Sequence, residues 1–285
     1  MSGLACGGGT SSGTSTPTAT PTEAPRGTPA TSITAEEIRD QAVAADTEVH
    51  TCQFDLDITM VASMTLPGET FEGIFMMNID GAIDEPNQRM SLYMQVRMEE
   101  TGAAPEQTQG EIYLVDDYVY TKIEGGVPEG WGKFAMPEGF LDEYDISSQQ
   151  LDILLDVEVE LQGTDTVDGT ECYVLEVIPD LEELWELIEV AGAAGLVPPG
   201  LDLEQSLTGF SVRQWVATDT FFIRKSDISM TMVVPAESLG LPAEQAEDEA
   251  MVDMAITFLM HHINQPVTIT LPPGAEEAEE VPLPG

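Results

Sequence analysis

From about residue 50 to residue 125 the apolar side chains recur every second position, and that period decides what this chain can become. Phe54, Leu56, Ile58, Met60, Ala62 and Met64 alternate with Asp55, Asp57, Thr59 and Ser63, and Val61 is the one exception. A second clean run sets Met90, Leu92, Met94, Val96 and Met98 against Ser91, Tyr93, Gln95 and Arg97. On a helix, residues two apart point in nearly opposite directions and such a pattern would scatter its apolar atoms. On a strand they line one face, so the pattern specifies half-buried antiparallel strands. Residues 71–80 alternate less cleanly, with Phe71, Phe75, Met77 and Ile79 on one face and Ile74 and Met76 on the other.

Further strands are expected at 111–115 and 118–123, joined at Asp116-Asp117, after a break at 101–109. Asp168-Gly169 between 157–167 and 170–178 is a strong short hairpin signal. Strands at 210–217 and 221–234 flank Thr218-Asp219-Thr220, and 252–261 alternates again, with a short strand expected at 267–271. Two helices are expected in the middle. Ser147 caps one, with Gln150 in the capping-box position, and Asp180 caps another, whose apolar face carries Leu181, Leu184, Trp185, Leu187 and Ile188. The sum is a mainly β (α+β) chain of about ten antiparallel strands and two or three helices, without a βαβ unit.

Charge narrows the functions. There are 52 Asp and Glu against 9 Lys and Arg, a formal net charge of -43. Such a surface repels nucleic-acid phosphates and excludes nucleic-acid binding. At 42% apolar residues, the chain still has the means to build a core. No run of about 18 apolar residues occurs, so no helix spanning a bilayer is expected.

The ends differ from the body. Residues 7–33 are Gly, Ser, Thr and Pro of low complexity, a flexible tether with an r.m.s. reach of about 30 Å. Before it stands Gly3-Leu4-Ala5-Cys6-Gly7, which resembles the cleavage site of a bacterial lipoprotein signal, with Cys6 as the acylated residue. The leucine stands two places before the cysteine where the usual pattern has three, and Met1-Ser2 supplies no charged or apolar leader. A cytosolic protein with a disordered N-terminus and an incidental cysteine is the alternative. Domain boundaries are placed at 1–33 for the tether, 34–273 for a single domain, and 274–285 for an acidic, proline-containing exit segment.

The chemistry-bearing residues single out no active site. Acidic pairs such as Asp55 with Asp57 are inevitable at this composition, and a solvated face accounts for them. No Gly-x-Ser-x-Gly, His-Glu-x-x-His or phosphate-cradling loop is present, so no enzyme activity, cofactor or metal site is expected. His261 and His262 would point to opposite faces of a strand. Cys52 and Cys172 fit a disulfide if the domain is exported and two buried thiols otherwise, and the sequence leaves both open. The 14 methionines are unusual, and several share apolar strand faces. Methionine is flexible and polarisable, suited to a cavity for loosely defined apolar ligands. A Met-rich core without a ligand explains the same composition.

Taken in order, several pieces resemble the LolA/LppX-like lipoprotein-carrier superfamily, and in particular the acidic, tethered lipoproteins of the LppX/LprG group. They are the Met-rich opening strand, Tyr113 to Tyr120 leading into Trp131-Gly132-Lys133, and Asp168-Gly169 before Cys172-Tyr173-Val174-Leu175. Trp215-Val216-Ala217 before Asp219-Thr220, Asn264-Gln265-Pro266-Val267 and Leu271-Pro272-Pro273 complete the order. The resemblance implies a strongly curved antiparallel sheet, an incomplete barrel, with helices across its concave face. It also implies an apolar space for lipid or acyl chains. The lining would be Leu56, Ile58 and Met60 with Met90, Leu92 and Met94, joined by Met254, Ile256 and Phe258 and by Leu184, Trp185 and Ile188 from a lid helix. The partners implied are a lipid or acylated ligand and the bacterial membrane, reached through an N-terminal lipid outside the cytoplasm. A regulatory or assembly module that docks a basic envelope protein without lipid is the competing expectation.

Overall fold

The computed structural model describes residues 33–66, 69–125, 130–136, 157–178, 206–235 and 249–280. The expected helices at 147–155 and 180–188 lie outside the described residues, as do Cys6, Leu184, Trp185 and Ile188.

The described chain opens with helix α1 (Ala35–Asp46), which the strand periodicity does not announce. Its signal is a capping box. The Glu37 N–H donates to Thr34 Oγ1 at 3.2 Å, while the Thr34 N–H donates to Glu37 Oε2 at 3.0 Å. Two of the four amide donors near the helix start are satisfied in this way.

Twelve strands follow in one sheet: β1 (Thr51–Leu66), β2 (Glu69–Asp84), β3 (Arg89–Glu100), β4 (Glu106–Val115), β5 (Tyr118–Ile123), β6 (Gly132–Ala135), β7 (Glu158–Val167), β8 (Thr170–Ile178), β9 (Leu207–Ala217), β10 (Ile223–Pro235), β11 (Glu249–His261) and β12 (Glu279–Glu280). Their order across the sheet is β12-β6-β5-β4-β3-β2-β1-β11-β10-β9-β8-β7. All neighbours are antiparallel except β12 with β6. The two edges, β12 and β7, are not paired with each other, so the sheet is an incomplete barrel. Register shifts at Leu161/Gly163, Ile223/Lys225 and Thr231/Met232 increase the local twist of the strands that carry them.

The turns carry the backbone that hairpins of right-handed twist demand. Asp116 and Asp117 both take positive φ (53° and 66°), and so do Asp168 and Gly169 (46° and 81°). The tight Asp168-Gly169 hairpin expected from sequence joins β7 to β8. Residues 252–261 are strand, as their alternation indicates.

Two expectations change. The break at 101–109 is shorter, because β4 begins at Glu106 and pairs with Met98. Residues 267–271 form no strand. Instead, Val267, Ile269 and Leu271 pack with Ala275 and Ala278 against Tyr113, Val115, Tyr118, Tyr120 and Trp131. The segment expected to be a solvated exit therefore covers part of the sheet as far as Glu280, where β12 adds to the edge. Its alanines are small enough to approach the aromatic rings, while its glutamates face water.

Candidate functional site

Because the side-chain period of a strand is two, the register assigns every residue to one of two faces. Ile58 of β1 stands opposite Met77 of β2 and Ile256 of β11, and Val96 and Ile228 extend the row on either side. This apolar face holds Leu56, Ile58 and Met60 of β1, Met90, Leu92 and Met94 of β3, and Met254, Ile256 and Phe258 of β11. All nine described members of the lining expected from sequence thus lie on one side of the sheet, on β1, β3 and β11.

Burial along that face is graded. At the end nearest Thr51 the side chains are packed away: Phe54, Met90, Leu114, Val119, Phe258 and Met260 are all buried. Met90 and Phe258, expected as lining, serve here as core. Phe54 stacks on Phe258 with ring centroids 5.4 Å apart and lies over Gly81, its direct partner on β2. Helix α1 covers the same face farther along the sheet, where Ile38 and Ala42 pack on Val159, Leu175, Val177 and Val212.

Toward the other end the face opens. One cross-strand row there reads Met98, Phe75, Met60, Met254, Met230 and Phe210, running from β3 through β2, β1, β11 and β10 to β9. None of the six is buried, and Met98 is 49% exposed. Sequence reasoning left Phe75, Met77, Ile79 and Met230 out of the lining. The weaker alternation of β2 hid the first three, and only the pairing of β10 with β11 brings in the last.

The opposite, polar face is a hydrogen-bonded skin. Asn78 donates to Asp57, Thr257 Oγ1 donates to Asp227 at 2.9 Å, and Thr231 Oγ1 donates to Asp253 at 2.7 Å. Lys225 bonds Asp227 at 2.6 Å and lies 4.3 Å from the centre of the Trp215 ring, whose indole N–H donates to Asp165. The Thr166 N–H and that indole hold Asp165 below the usual carboxylate range. Two depressions of about 320 Å³ and 230 Å³ are lined mostly from this polar face, the larger by Ser211, Arg213, Asp227, Ser229 and Thr257 among others.

Asp55 and Asp80 stand directly opposite each other on β1 and β2. Partial burial raises the Asp55 carboxyl above its ordinary range; His261, 3.8 Å away, works against this, while Asp80 and Asp57 add to it. A carboxyl with a raised folded pKa contributes stability below its unfolded pKa and loses it as pH rises through the folded value. Asp80→Asn is therefore expected to raise the melting temperature at pH 7, where it removes a like charge. At about pH 3, where Asp55 with its raised pKa is protonated, the gain should vanish. Melting curves at the two pH values check this.

Cys52 and Cys172 are not joined. Cys52 belongs to the Phe54–Phe258 cluster on the apolar face, and Cys172 packs with Val167, Val174 and Trp215 on the polar face. A bridge would have to pass through the sheet, so the disulfide left open by the sequence gives way to buried thiols. Burial pushes the Cys172 thiol up. His261 and His262 lie with ring centroids 5.0 Å apart, and among the described residues no three His, Cys, Asp or Glu side chains are grouped to hold a metal ion.

The arrangement defines a class: an open antiparallel sheet with one apolar, partly uncovered face and one hydrogen-bonded acidic face. No protein-family model matches the chain, and no curated protein does. Among solved structures it is similar to the lipoprotein LppX of Mycobacterium tuberculosis, at 13% identity and TM-score 0.39, covering 82% of this chain and 96% of that one. It is also similar to LprF from Mycobacterium bovis, at 15% identity and TM-score 0.39, covering 84% and 97%. A LolA superfamily protein from Nitrosomonas europaea is matched at 11% identity and TM-score 0.21, covering 80% and 94%. The functional reading rests on the chain's own register and burial.

Proposed function

We propose that this protein is a non-enzymatic binding protein that holds a lipid or another long acyl chain against its apolar face. The observation that carries the proposal is the row Met98, Phe75, Met60, Met254, Met230 and Phe210, which stays partly exposed on a sheet whose other end is fully packed. Four methionines in one row form a soft, polarisable surface that adapts to a chain of variable length and unsaturation. Each CH₂ taken from water adds about 0.8 kcal/mol, so a long chain supplies ample affinity without polar contacts. The acidic skin keeps the protein soluble beside anionic headgroups, and Asp57, Asp165, Asp227 and Asp253 are engaged in hydrogen bonds within it.

A setting outside the cytoplasm and a tether to the bacterial membrane through Cys6 belong to the same proposal and rest on the sequence Gly3 to Gly7 with the low-complexity segment behind it. The test is native mass spectrometry and solvent extraction of protein purified from membranes of its producing cells. Stoichiometric acyl lipid is the expected result. Protein that carries no extractable lipid and binds no acyl probe would sink the idea. Docking of a basic envelope protein on the polar face ranks second, favoured by the like charges of Asp55 and Asp80. Such docking would disappear on adding salt.

A further inference from the structure

The uncovered part of the apolar face tapers. Among the described residues, β1 carries five half-buried side chains in succession on this face, from Leu56 to Met64 beyond the buried Phe54. On β11 three remain, Val252, Met254 and Ile256, between buried Ala250 and Phe258. On β10 two remain, Ile228 and Met230, between buried Ser226 and Met232. The register sets these groups side by side, so the open surface narrows strand by strand from β1 to β10. At the narrow end Ile228 packs against the cluster that α1 closes, and Met230 packs against Met232, Val234 and Ala250. Phe210 of β9, the partner of Met230, also packs on the α1 cluster and ends the taper. The other end is wet. Met98 on β3 is 49% exposed, and its partner on β4 is the exposed Glu106.

We infer that a bound chain lies across the strands with its methyl end at Met230 and Phe210, and that the span from Met98 to Met230 sets the longest chain the protein grips. The inference rests on the proposed acyl-binding role of this face. Only apolar atoms gain by leaving water, so the tail belongs at the packed tip and the polar head at the wet end beside Met98. Two side chains about 7 Å apart along β10 floor the tip, which gives room for one chain and no second. From β3 to β10 there are four strand spacings, together about 19 Å at about 4.8 Å each. A staggered chain with C–C bonds of about 1.5 Å advances about 1.25 Å per carbon, so about 16 carbons fill the path. Carbons beyond that number stay in water with the head. The ligand class is thus a single acyl chain of about that length, held by its tail.

Straight-chain monoacylglycerols of about 8 to about 22 carbons test the inference, titrated against the full chain by displacement of a fluorescent fatty alcohol. In the parent protein affinity should rise about fourfold per added carbon and stop rising near about 16 carbons. Met230→Trp fills the tip and should move that break about four carbons shorter, the equivalent of one strand spacing. Met230→Phe repeats the comparison with a smaller ring if the tryptophan variant does not fold. Ser229→Trp places the same bulk on the opposite, exposed face of β10 and should leave the break where the parent has it. Affinity that climbs evenly to the longest chain would overturn the length limit. A break that stays in place in a folded Met230 variant, or that moves equally in Ser229→Trp, would overturn the placement of the tail while the acyl-binding reading stands. If neither the fatty alcohol nor any monoacylglycerol binds the parent, that reading falls and the inference falls with it.

Discussion

Gly81→Ala should destabilise this protein well beyond a surface substitution, and removing the Phe54 ring should abolish that penalty. A Cβ at position 81 would lie 2.1 to 2.6 Å from Cζ, Cε1 and Cε2 of Phe54. The ring has nowhere to withdraw: it is 1% exposed and stacked on Phe258, itself buried. Overpacking of this kind costs about 1–3 kcal/mol. Phe54→Ala alone should cost about 3–5 kcal/mol, because a large ring leaves a cavity. With the ring gone, alanine at 81 meets empty space and relieves the entropic weakness of glycine in a strand. The double variant should therefore be no less stable than Phe54→Ala, giving a coupling of about 1–3 kcal/mol in urea denaturation. Additive effects would show that the aromatic does not sit on the glycine. The closed end of the apolar face depends on this pair, since glycine is the residue that lets a ring lie flat across its strand.

Met60→Glu should weaken acyl-probe binding by a hundredfold or more while leaving the far-ultraviolet circular dichroism unchanged. Met60 sits in the middle of the open row, between Phe75 and Met254. A carboxylate there remains wet in the empty protein but must be dehydrated when a chain covers it, at a cost of several kcal/mol. About 2.7 kcal/mol already corresponds to a hundredfold. Thr59→Glu, one residue earlier, is the control. Position 59 is exposed on the polar face, so the same charge should leave binding intact. Equal loss in both variants would point to a general effect of charge. No loss in Met60→Glu would place the ligand elsewhere or remove it from the picture.

These contrasts also show how much of the molecule is legible in the sequence. The alternation in 54–64 and 90–98 specifies which side chains share a face, because the strand period permits only two assignments and one of them would expose every apolar group. Asp168-Gly169 and Asp116-Asp117 announce their turns, because few residue pairs accept the positive φ that those turns need. Helix α1 was legible only through Thr34 and Glu37, its hydrophobic stripe being too short to stand out. The packing of 267–278 was not legible at all. Its alternating apolar residues suggest a strand, and the aromatic surface it covers comes from β4 and β5, far away in the chain.

The sequence by itself therefore determined the composition of the two faces and the tight hairpins. Local side-chain geometry is sufficient for each of these. Only the tertiary structure decided which strands are neighbours: β11 beside β1, and β12 and β7 at opposite edges. It also decided that Met90 and Phe258 are core while Met98 and Met230 are open surface, and that Cys52 and Cys172 lie on opposite faces. Many strands here carry the same alternation and could pair with one another almost equally well. Choosing among those pairings is a long-range matter, settled by how the whole sheet packs rather than by any one segment.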